Sequence, residues 1–275
     1  MDKEDVEERF ELYHADAFDE VKNLKNQGVK VNHIITDPPF NISQKNNFST
    51  MRGNRKGIDF GKWDWGFDLT GWVSEYESLL EKGGSMIVFS SFRHMSKMIE
   101  AMEKSNLEVK DVLKWIKVNP MPRNIERRYV QDTEFAIWAV KPKGKWIFNR
   151  QVSIKYERAE FRFPVVAGKE RTLHPNQKPQ KLMNEIIKIH TNQNDVILDP
   201  FMGSGTTGVS AIELDRSFIG IECEQIYFDI AKRRLCEVNQ AAILSDYRKV
   251  KVSIDHCIPV DLAGTDEEWD LVLNK

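Results

Sequence analysis

The stretch "DVILDPFMGSGTTGVSAIELDRSFIGIE" (residues 195–222) decides the fold of this chain. A short apolar run ends at Asp199, a glycine-bearing loop leads into a helical pattern, and a second apolar run ends at Glu222. Gly203 and Gly205 permit a tight turn and a close approach of backbone to a ligand. The helix that follows offers free backbone N–H groups. A strand, loop, helix and strand with a terminal acid predict a site for an adenosine-containing cofactor.

The acid at the end of the first strand bears on which cofactor binds. "GSGTTG" completes the dinucleotide pattern GxGxxG through Gly208. However, Asp199 stands where a pyrophosphate would lie, so two anions would meet. A carboxylate there suits a cationic group, such as the amino group of a methionine moiety, which favours S-adenosylmethionine over NAD. The alternative is a plain strand–helix turn in which Glu222 is an ordinary solvated acid.

Apolar runs and helical patterns alternate along the rest of the chain. This alternation predicts an α/β fold of one domain (1–275), with a doubly wound, mostly parallel, Rossmann-like sheet. Such sheets bind ligands at the carboxyl ends of their strands. The predicted strands are 31–36, 85–90, 112–118, 134–140, 195–199 and 218–222, and the predicted helices are 68–82, 91–105, 179–191 and 206–215.

Two stretches interrupt this rhythm. Residues 43–65 are polar, contain glycine and are too long for an ordinary connection, so we expect a functional loop. Residues 119–172 are rich in Arg, Lys and aromatic residues, and we expect an insertion carried on the sheet.

Charge, cysteine spacing and apolar runs restrict the classes of ligand and the location that are expected. The net charge is -2, but residues 110–188 hold 18 Lys and Arg against 8 Asp and Glu, which suggests a local face for a polyanion or a merely solvated surface. The 3 cysteines have no metal-binding spacing, so neither a metal nor a disulfide is expected. The first residues lack the apolar stretch of a signal peptide, and no run approaches the ~18 apolar residues of a membrane span. We expect a cytoplasmic protein without a membrane partner.

"TDPPFN" (36–41) follows the apolar run "VNHII" directly, and two prolines cannot extend a strand. A turn with Phe40 in the core is one explanation. Together with the glycine loop, the motif has another. "DPPF" (37–40) resembles the catalytic motif of DNA amino-methyltransferases, and "DPFMGSGTT" (199–207) resembles their S-adenosylmethionine motif. "HPNQKP" (174–179) is similar to the segment that precedes that motif in the same family.

The order of these motifs resembles the beta group of that family, which is circularly permuted relative to other methyltransferases. The region 43–65 most resembles small restriction–modification adenine enzymes. The resemblance implies that the segment around Asp16 holds the adenine of the cofactor, although Asp16 could instead cap a helix. Lys178 is expected near the methionine end or at a phosphate. The implied cofactor-binding residues are Asp16, Ala17, Phe18, Lys178, Asp199, Phe201, Gly203, Gly205, Thr206 and Glu222.

The resemblance also gives the tetrapeptide a chemical role. The Asp37 carboxylate would accept one N–H of an exocyclic amino group, and the carbonyl of Pro38 the other. Phe40 would offer an aromatic face to a base that has left the duplex stack. The implied catalytic residues are Asp37, Pro38, Pro39 and Phe40.

The preferred function is methylation of adenine N6 in DNA, with a restriction endonuclease as a possible companion and a monomer or homodimer as the assembly. The alternatives are a cytosine-N4 DNA methyltransferase, an RNA or protein-amide methyltransferase, and a non-catalytic DNA-binding subunit. The last ~35 residues match no motif. The loop 43–65 is expected to face the DNA, and the insertion 119–172 is expected to recognise the target sequence. The candidate DNA contacts are Arg52, Arg55, Lys56, Arg123, Arg127 and Arg128.

Overall fold

A computed structural model describes residues 9–41, 66–122, 126–127 and 129–255, together with the backbone of 48–50 and 53–55; for 245–255 it describes the backbone alone. Its ten strands in chain order are β1 (Phe10–His14), β2 (Val31–Thr36), β3 (Phe48–Thr50), β4 (Gly53–Arg55), β5 (Leu80–Ser90), β6 (Glu108–Lys117), β7 (Thr133–Val140), β8 (Glu160–Phe163), β9 (Val196–Asp199) and β10 (Ser217–Glu222).

Eight of these strands form one sheet, in the order β1-β10-β9-β2-β5-β7-β6-β8. β7 runs antiparallel to both of its neighbours, and the other pairs are parallel. β3 and β4 form a separate antiparallel hairpin within the long polar loop. The predicted mostly parallel α/β sheet is therefore confirmed.

Helices cover both faces of the sheet. They are α1 (Ala17–Asn26), α2 (Val73–Glu77), α3 (Met95–Lys104), α4 (Gln180–His190), α5 (Thr206–Glu213) and α6 (Gln225–Asp255). One core cluster packs α4, α5 and α6 against the sheet, and the other packs α1, α2 and α3. Neighbouring residues of β2 serve opposite faces, since Ile35 belongs to the first cluster and Ile34 to the second. Coverage on both faces explains why these strands are continuously apolar.

The helix predicted over residues 68–82 is wrong in its extent. α2 covers only Val73–Glu77, and the residues from Leu80 onward open β5. The glycines that follow explain the difference. Gly83 lies at an irregular point within β5 and has φ +81°, and a Cβ there would lie 2.6 Å from the Lys145 carbonyl oxygen, so this position requires glycine and a helix could not continue through it.

The basic stretch 119–172 is not a lobe outside the sheet, because β7 and β8 lie within it. The remaining parts of this stretch lie at two opposite edges of the sheet. The β6–β7 connection follows the carboxyl end of β6, whereas Asn149 donates to the Lys188 carbonyl at the end of α4, which precedes the start of β9. A role in target recognition stays a prediction. Among the helices described, none is both long enough and apolar enough to cross a membrane.

Candidate active site

The two motifs meet because β2 and β9 are neighbours in the sheet. Ile34 lies opposite Leu198 in a parallel register, so both strands end at the same edge. There the Thr36 hydroxyl donates to Asp199 Oδ1 at 2.6 Å, a buried bond between residues 163 positions apart. One hydrogen bond thus joins the end of one motif strand to the end of the other.

Asp199 is only 2% exposed. Its Oδ1 also accepts the backbone N–H of Phe201 at 3.1 Å. Burial raises the pKa of Asp199 to about 7, and hydrogen bonds from Thr36 and Thr207 offset part of that effect. The carboxyl group therefore titrates near neutral pH in the cofactor-free protein.

The loop after β9 depends on its glycines. Gly203 has φ +52° and Gly205 has φ +76°. A Cβ on Gly203 would lie 2.9 Å from His174 Nε2, and one on Gly205 would lie 2.9 Å from the Cβ of Ala231. Neither position has room for a side chain, so this buried loop requires glycine at both points. Thr206, 5% exposed, begins α5 directly after the loop.

Glu222 ties the loop to the next strand. Its Oε2 accepts the backbone N–H of Gly203 at 2.9 Å, and its Oε1 accepts that of Glu224 at 2.8 Å. The side chain is 9% exposed, and burial raises its pKa despite these bonds. The predicted acid therefore lies against the predicted glycine loop.

Asp16 lies at the same edge, because His14 of β1 is paired with Glu222. Its Oδ1 accepts the backbone N–H of Phe18 at 2.8 Å, which caps α1. The helix-cap interpretation is thus confirmed. A cofactor contact from this exposed side chain stays a prediction, as does one from the buried Ala17.

An aromatic cluster adjoins these acids. Phe201 meets Phe67 and Trp72 edge-on, each at 5.3 Å between ring centroids, and Phe67 meets Phe18 at 5.9 Å. Asn41, the residue after "DPPF", fixes Phe67 by donating to its carbonyl at 2.6 Å and accepting its N–H at 2.9 Å. Trp72 is fully buried, as expected for a core residue.

The tetrapeptide itself follows β2. The ammonium group of Lys178 forms an ion pair with Asp37 Oδ2 and lies 3.3 Å from Glu134 Oε2. It also lies 5.7 Å from the centroid of the Phe40 ring. Asp37 Oδ1 is buried and has no hydrogen-bond partner within the described part of the chain. Pro38 is buried, whereas Pro39 is partly exposed.

Asp37 ends a chain of four charged groups that alternate in sign: Lys117, Glu134, Lys178 and Asp37. Lys117 Nζ lies 2.6 Å from Glu134 Oε1, so Glu134 bridges two lysines. Burial raises the pKa of Asp37, and attraction to Lys178 opposes that rise. Burial also disfavours charge on Lys178, but Asp37 and Glu134 outweigh it and raise the lysine pKa. The pKa of Glu134 is lowered, because the two lysines outweigh its burial.

His174 packs beneath the glycine loop, 4.5 Å from the Tyr227 ring. Burial lowers its pKa to about 4, helped by Lys178 and Arg234, so the ring is neutral at physiological pH. The segment "HPNQKP" thus supplies a packing residue for the loop and a lysine for the catalytic motif.

The candidate DNA contacts are only partly described. Arg127 is exposed in the β6–β7 connection, on the edge that holds Asp37. The backbone of Arg55 ends β4. The side chain of Arg55 lies outside the described residues, as do Arg52, Lys56, Arg123 and Arg128. All of these contacts stay predictions.

The residues of the site that were not predicted from the sequence include Thr36, Asn41, Phe67, Lys117 and Glu134. Asn41 and Thr36 flank the tetrapeptide in the sequence, so this proximity could have identified them as candidate site residues. Lys117 and Glu134 carry no local signal, since only the pairing of β6 with β7 brings them together.

The sequence profile of the family described as DNA methylase matches residues 31–233, which include both motifs. The chain belongs to the DNA methylase family. Its relatives include the Type II methyltransferase M.HinfI of Haemophilus influenzae, 30% identical over 276 residues, with 91% of this chain and 76% of the relative covered. The Type II methyltransferase M2.LlaDCHI of Lactococcus lactis subsp. cremoris is 32% identical over 241 residues, with coverages of 82% and 88%.

Solved structures agree with this assignment. The M1.HpyAVI–SAM complex is 46% identical, has a TM-score of 0.70 and is matched over 82% of the methylase and 98% of that chain. The cytosine-N4-specific PvuII DNA methyltransferase is 16% identical with a TM-score of 0.64, covers 85% and 92%, and supports the fold alone. The methylase is an enzyme that acts on DNA, as its motifs predicted. The circular permutation of its motif order stays a prediction.

Proposed function

We propose that this DNA methylase transfers a methyl group from S-adenosylmethionine to the N6 amino group of adenine in DNA. The observation that carries the proposal is the buried Oδ1 of Asp37, which has no hydrogen-bond partner among the residues that the structure describes and lies at the sheet edge of the glycine loop. The aspartate at the first position of "DPPF" favours adenine, by resemblance to adenine enzymes.

The residues at this edge fit S-adenosylmethionine. The buried carboxylate of Asp199 would hold its ammonium group, and Glu222 would accept the ribose hydroxyls. Glycine at positions 203 and 205 allows the loop to pack closely on His174 and Ala231, which fixes its backbone beside Glu222. The aromatic cluster of Phe18, Phe67 and Phe201 offers apolar rings for the adenine. When bound, the cofactor supplies an electrophilic methyl group.

The catalytic motif acts on the target amino nitrogen, whose lone pair is delocalised into the ring of the base. Asp37 Oδ1 accepts one N–H, and the Pro38 carbonyl accepts the other. Both bonds favour a pyramidal nitrogen with a localised lone pair. They strengthen as positive charge develops on that nitrogen, so they stabilise the transition state preferentially. Phe40 stacks on the flipped base.

The DNA would lie along the same edge, where the β6–β7 connection presents Arg127 and the loop 43–65 departs after Asn41. The Type II methyltransferases among the relatives support a place in a restriction–modification system, with a cognate endonuclease acting on the same site. A monomer or a homodimer is the proposed assembly.

The test is to incubate the purified protein with S-adenosylmethionine and unmethylated duplex DNA, digest the DNA to nucleosides and identify the modified base by mass. We expect N6-methyladenine. N4-methylcytosine would contradict the choice of base, and transfer to RNA but not to duplex DNA would contradict the choice of substrate. Sequencing of the same DNA with detection of modified bases would give the recognition site.

A further inference from the structure

A partly buried charge chain of Lys117, Glu134, Lys178 and Asp37 extends from β6 to the tetrapeptide, and the proposed mechanism does not account for it. Building on the proposed function, we propose that Glu134 is a positioning residue for methyl transfer, acting on Asp37 through Lys178. It holds the Lys178 ammonium group against one oxygen of Asp37. The other oxygen is thereby kept for the amino group of the target base.

The contacts form a continuous path. Lys117 Nζ lies 2.6 Å from Glu134 Oε1, and Lys178 Nζ lies 3.3 Å from Glu134 Oε2. The Lys178 ammonium group then pairs with Asp37 Oδ2. Glu134 is therefore the group that both lysines share. Its Oε2 makes no hydrogen bond among the described residues, so it interacts with Lys178 as an ion pair at 3.3 Å.

Lys178 is confined on its remaining sides. Its side chain is 7% exposed, and its Nζ lies 5.0 Å from the Phe89 ring and 5.7 Å from the Phe40 ring. A cation in such a pocket stays where its counter-charges hold it, because burial makes an unpaired ammonium costly. Of the two carboxylates that hold Lys178, Asp37 takes part in the proposed reaction and Glu134 does not.

The two oxygens of Asp37 consequently differ. Oδ2 is neutralised by Lys178, whereas Oδ1 is buried and has no hydrogen-bond partner among the described residues. An unsatisfied buried acceptor is costly unless a ligand completes it. If Lys178 moved between the oxygens, it would occupy the acceptor that the target N–H requires.

The charged groups that face Asp37 set the expected effect of pH. They are Lys178 from the segment before α4, Glu134 from β7, Lys117 from β6 and Asp199 from β9. Glu134 raises the pKa of Asp37, and Lys178 lowers it. Removing either charge should therefore shift the ionisation of Asp37, but in opposite directions.

The test measures kcat and KM against pH for the full-length wild type and three variants. For Glu134→Gln we expect kcat on the plateau to fall at least about tenfold, KM for S-adenosylmethionine to stay within about twofold, and the acid limb of kcat to move to lower pH. For Lys178→Met we expect the acid limb to move to higher pH. Lys178→Arg should return that limb toward its wild-type position, because it restores the charge.

The matched control is Glu160→Gln, which removes the partner of Lys114 on the same strand as Lys117, at a pair that is 2.9 Å apart and more exposed. We expect wild-type kinetics from it. The proposal would be overturned if Glu134→Gln kept the wild-type plateau value of kcat. It would also be overturned if the acid limb of kcat shifted in the same direction in Glu134→Gln and Lys178→Met. If the wild type itself modified no adenine, the proposed function would fail instead, so the two failures are distinguishable.

Discussion

Asp199 meets two requirements that conflict. As a buried acid it is favoured in its protonated form, because burial raises its pKa to about 7. As the proposed partner of a cationic amino group it must be ionised. The native fold in the absence of cofactor therefore carries a cost that binding relieves, and this cost varies with pH.

The Asp199→Asn variant should reveal the cost as a change in stability. A carboxyl group whose folded pKa lies above its unfolded value of 3.8 stabilises the fold at low pH, and this contribution is lost as the pH rises through about 7. The difference corresponds to on the order of 4 kcal/mol at most. We expect the cofactor-free variant to unfold at higher denaturant concentration than wild type at pH 8, with little difference at pH 4. Equal midpoints at pH 8 would contradict this.

Binding should show the opposite dependence. The affinity of wild-type protein for S-adenosylmethionine should fall as the pH is lowered from 8 to 6, because a protonated Asp199 no longer attracts the ammonium group. Calorimetric titration at several pH values measures this. Asp199→Asn should bind weakly throughout and lose the pH dependence; retained affinity would refute the assignment of the cofactor loop.

Substitution of Asp37 should lower kcat without changing the affinity for S-adenosylmethionine. Asp37→Ala removes the proposed acceptor for one amino proton, and loss of one such preorganised bond typically lowers kcat by about 10²–10³-fold. We expect affinity for S-adenosylmethionine to remain within a few-fold of wild type. Asp111→Ala, an exposed site on β6, is the control. Unchanged methyl transfer by the Asp37 variant would refute the catalytic assignment.

At the scale of elements, two glycine substitutions can distinguish the specific role of the loop between β9 and α5 from the general effect of backbone strain. Gly205 and Gly28 both have positive φ, +76° and +72°, but only Gly205 lies against other atoms. Gly28→Ala should cost about 1–2 kcal/mol of stability through backbone strain and leave cofactor affinity unchanged. Gly205→Ala should cost more and also weaken cofactor binding, since α6 blocks its Cβ. Unchanged cofactor affinity in Gly205→Ala would contradict that role for the loop.

Most strands of the sheet could be predicted from the sequence, because buried parallel strands are continuously apolar. β2 and β7, for example, match the predicted runs within a residue. The glycine loop and Glu222 were predictable for the same reason, since their spacing along the chain follows from one strand–helix–strand unit. The tetrapeptide was recognisable through its resemblance to the catalytic motif of the family, together with the glycine loop.

The charge chain could not be predicted in this way. Glu134 and Lys117 come together through an antiparallel pairing, and Lys178 reaches them from beyond β8. Lys178 forms ion pairs with Asp37 and Glu134, which its sequence context did not indicate, and its expected contact with the cofactor stays a prediction. The end of the predicted helix 68–82 instead opens β5, where Gly83 has a positive φ that no helix allows.

At the scale of the whole molecule, the basic stretch divides between two edges of the sheet. Arg127 lies on the edge that holds Asp37, whereas exposed Lys145 contacts Gly83 near the start of β5. Under the proposed function, Arg127 is placed to meet the DNA and Lys145 is not. The positive charge between residues 110 and 188 therefore does not all lie on the proposed DNA-binding edge.

This division predicts different effects of two matched variants on DNA affinity. Arg127→Ala should weaken DNA binding and lower the slope of log K against log salt by about 1, as expected for one lost phosphate contact. Lys145→Ala should change neither quantity. Fluorescence anisotropy over a series of salt concentrations measures both. Equal effects of the two variants would contradict the proposed DNA-binding edge.

The hydrogen bond from Thr36 to Asp199 closes a loop of more than half the chain. The entropy of closing such a loop rises only with the logarithm of its length, so each doubling costs about 0.6 kcal/mol. Insertions and deletions between the two strands should therefore be inexpensive for the site, provided that the sheet still forms. The same reaction centre can then persist while the intervening segments, which include the long polar loop, diverge to read different DNA sequences.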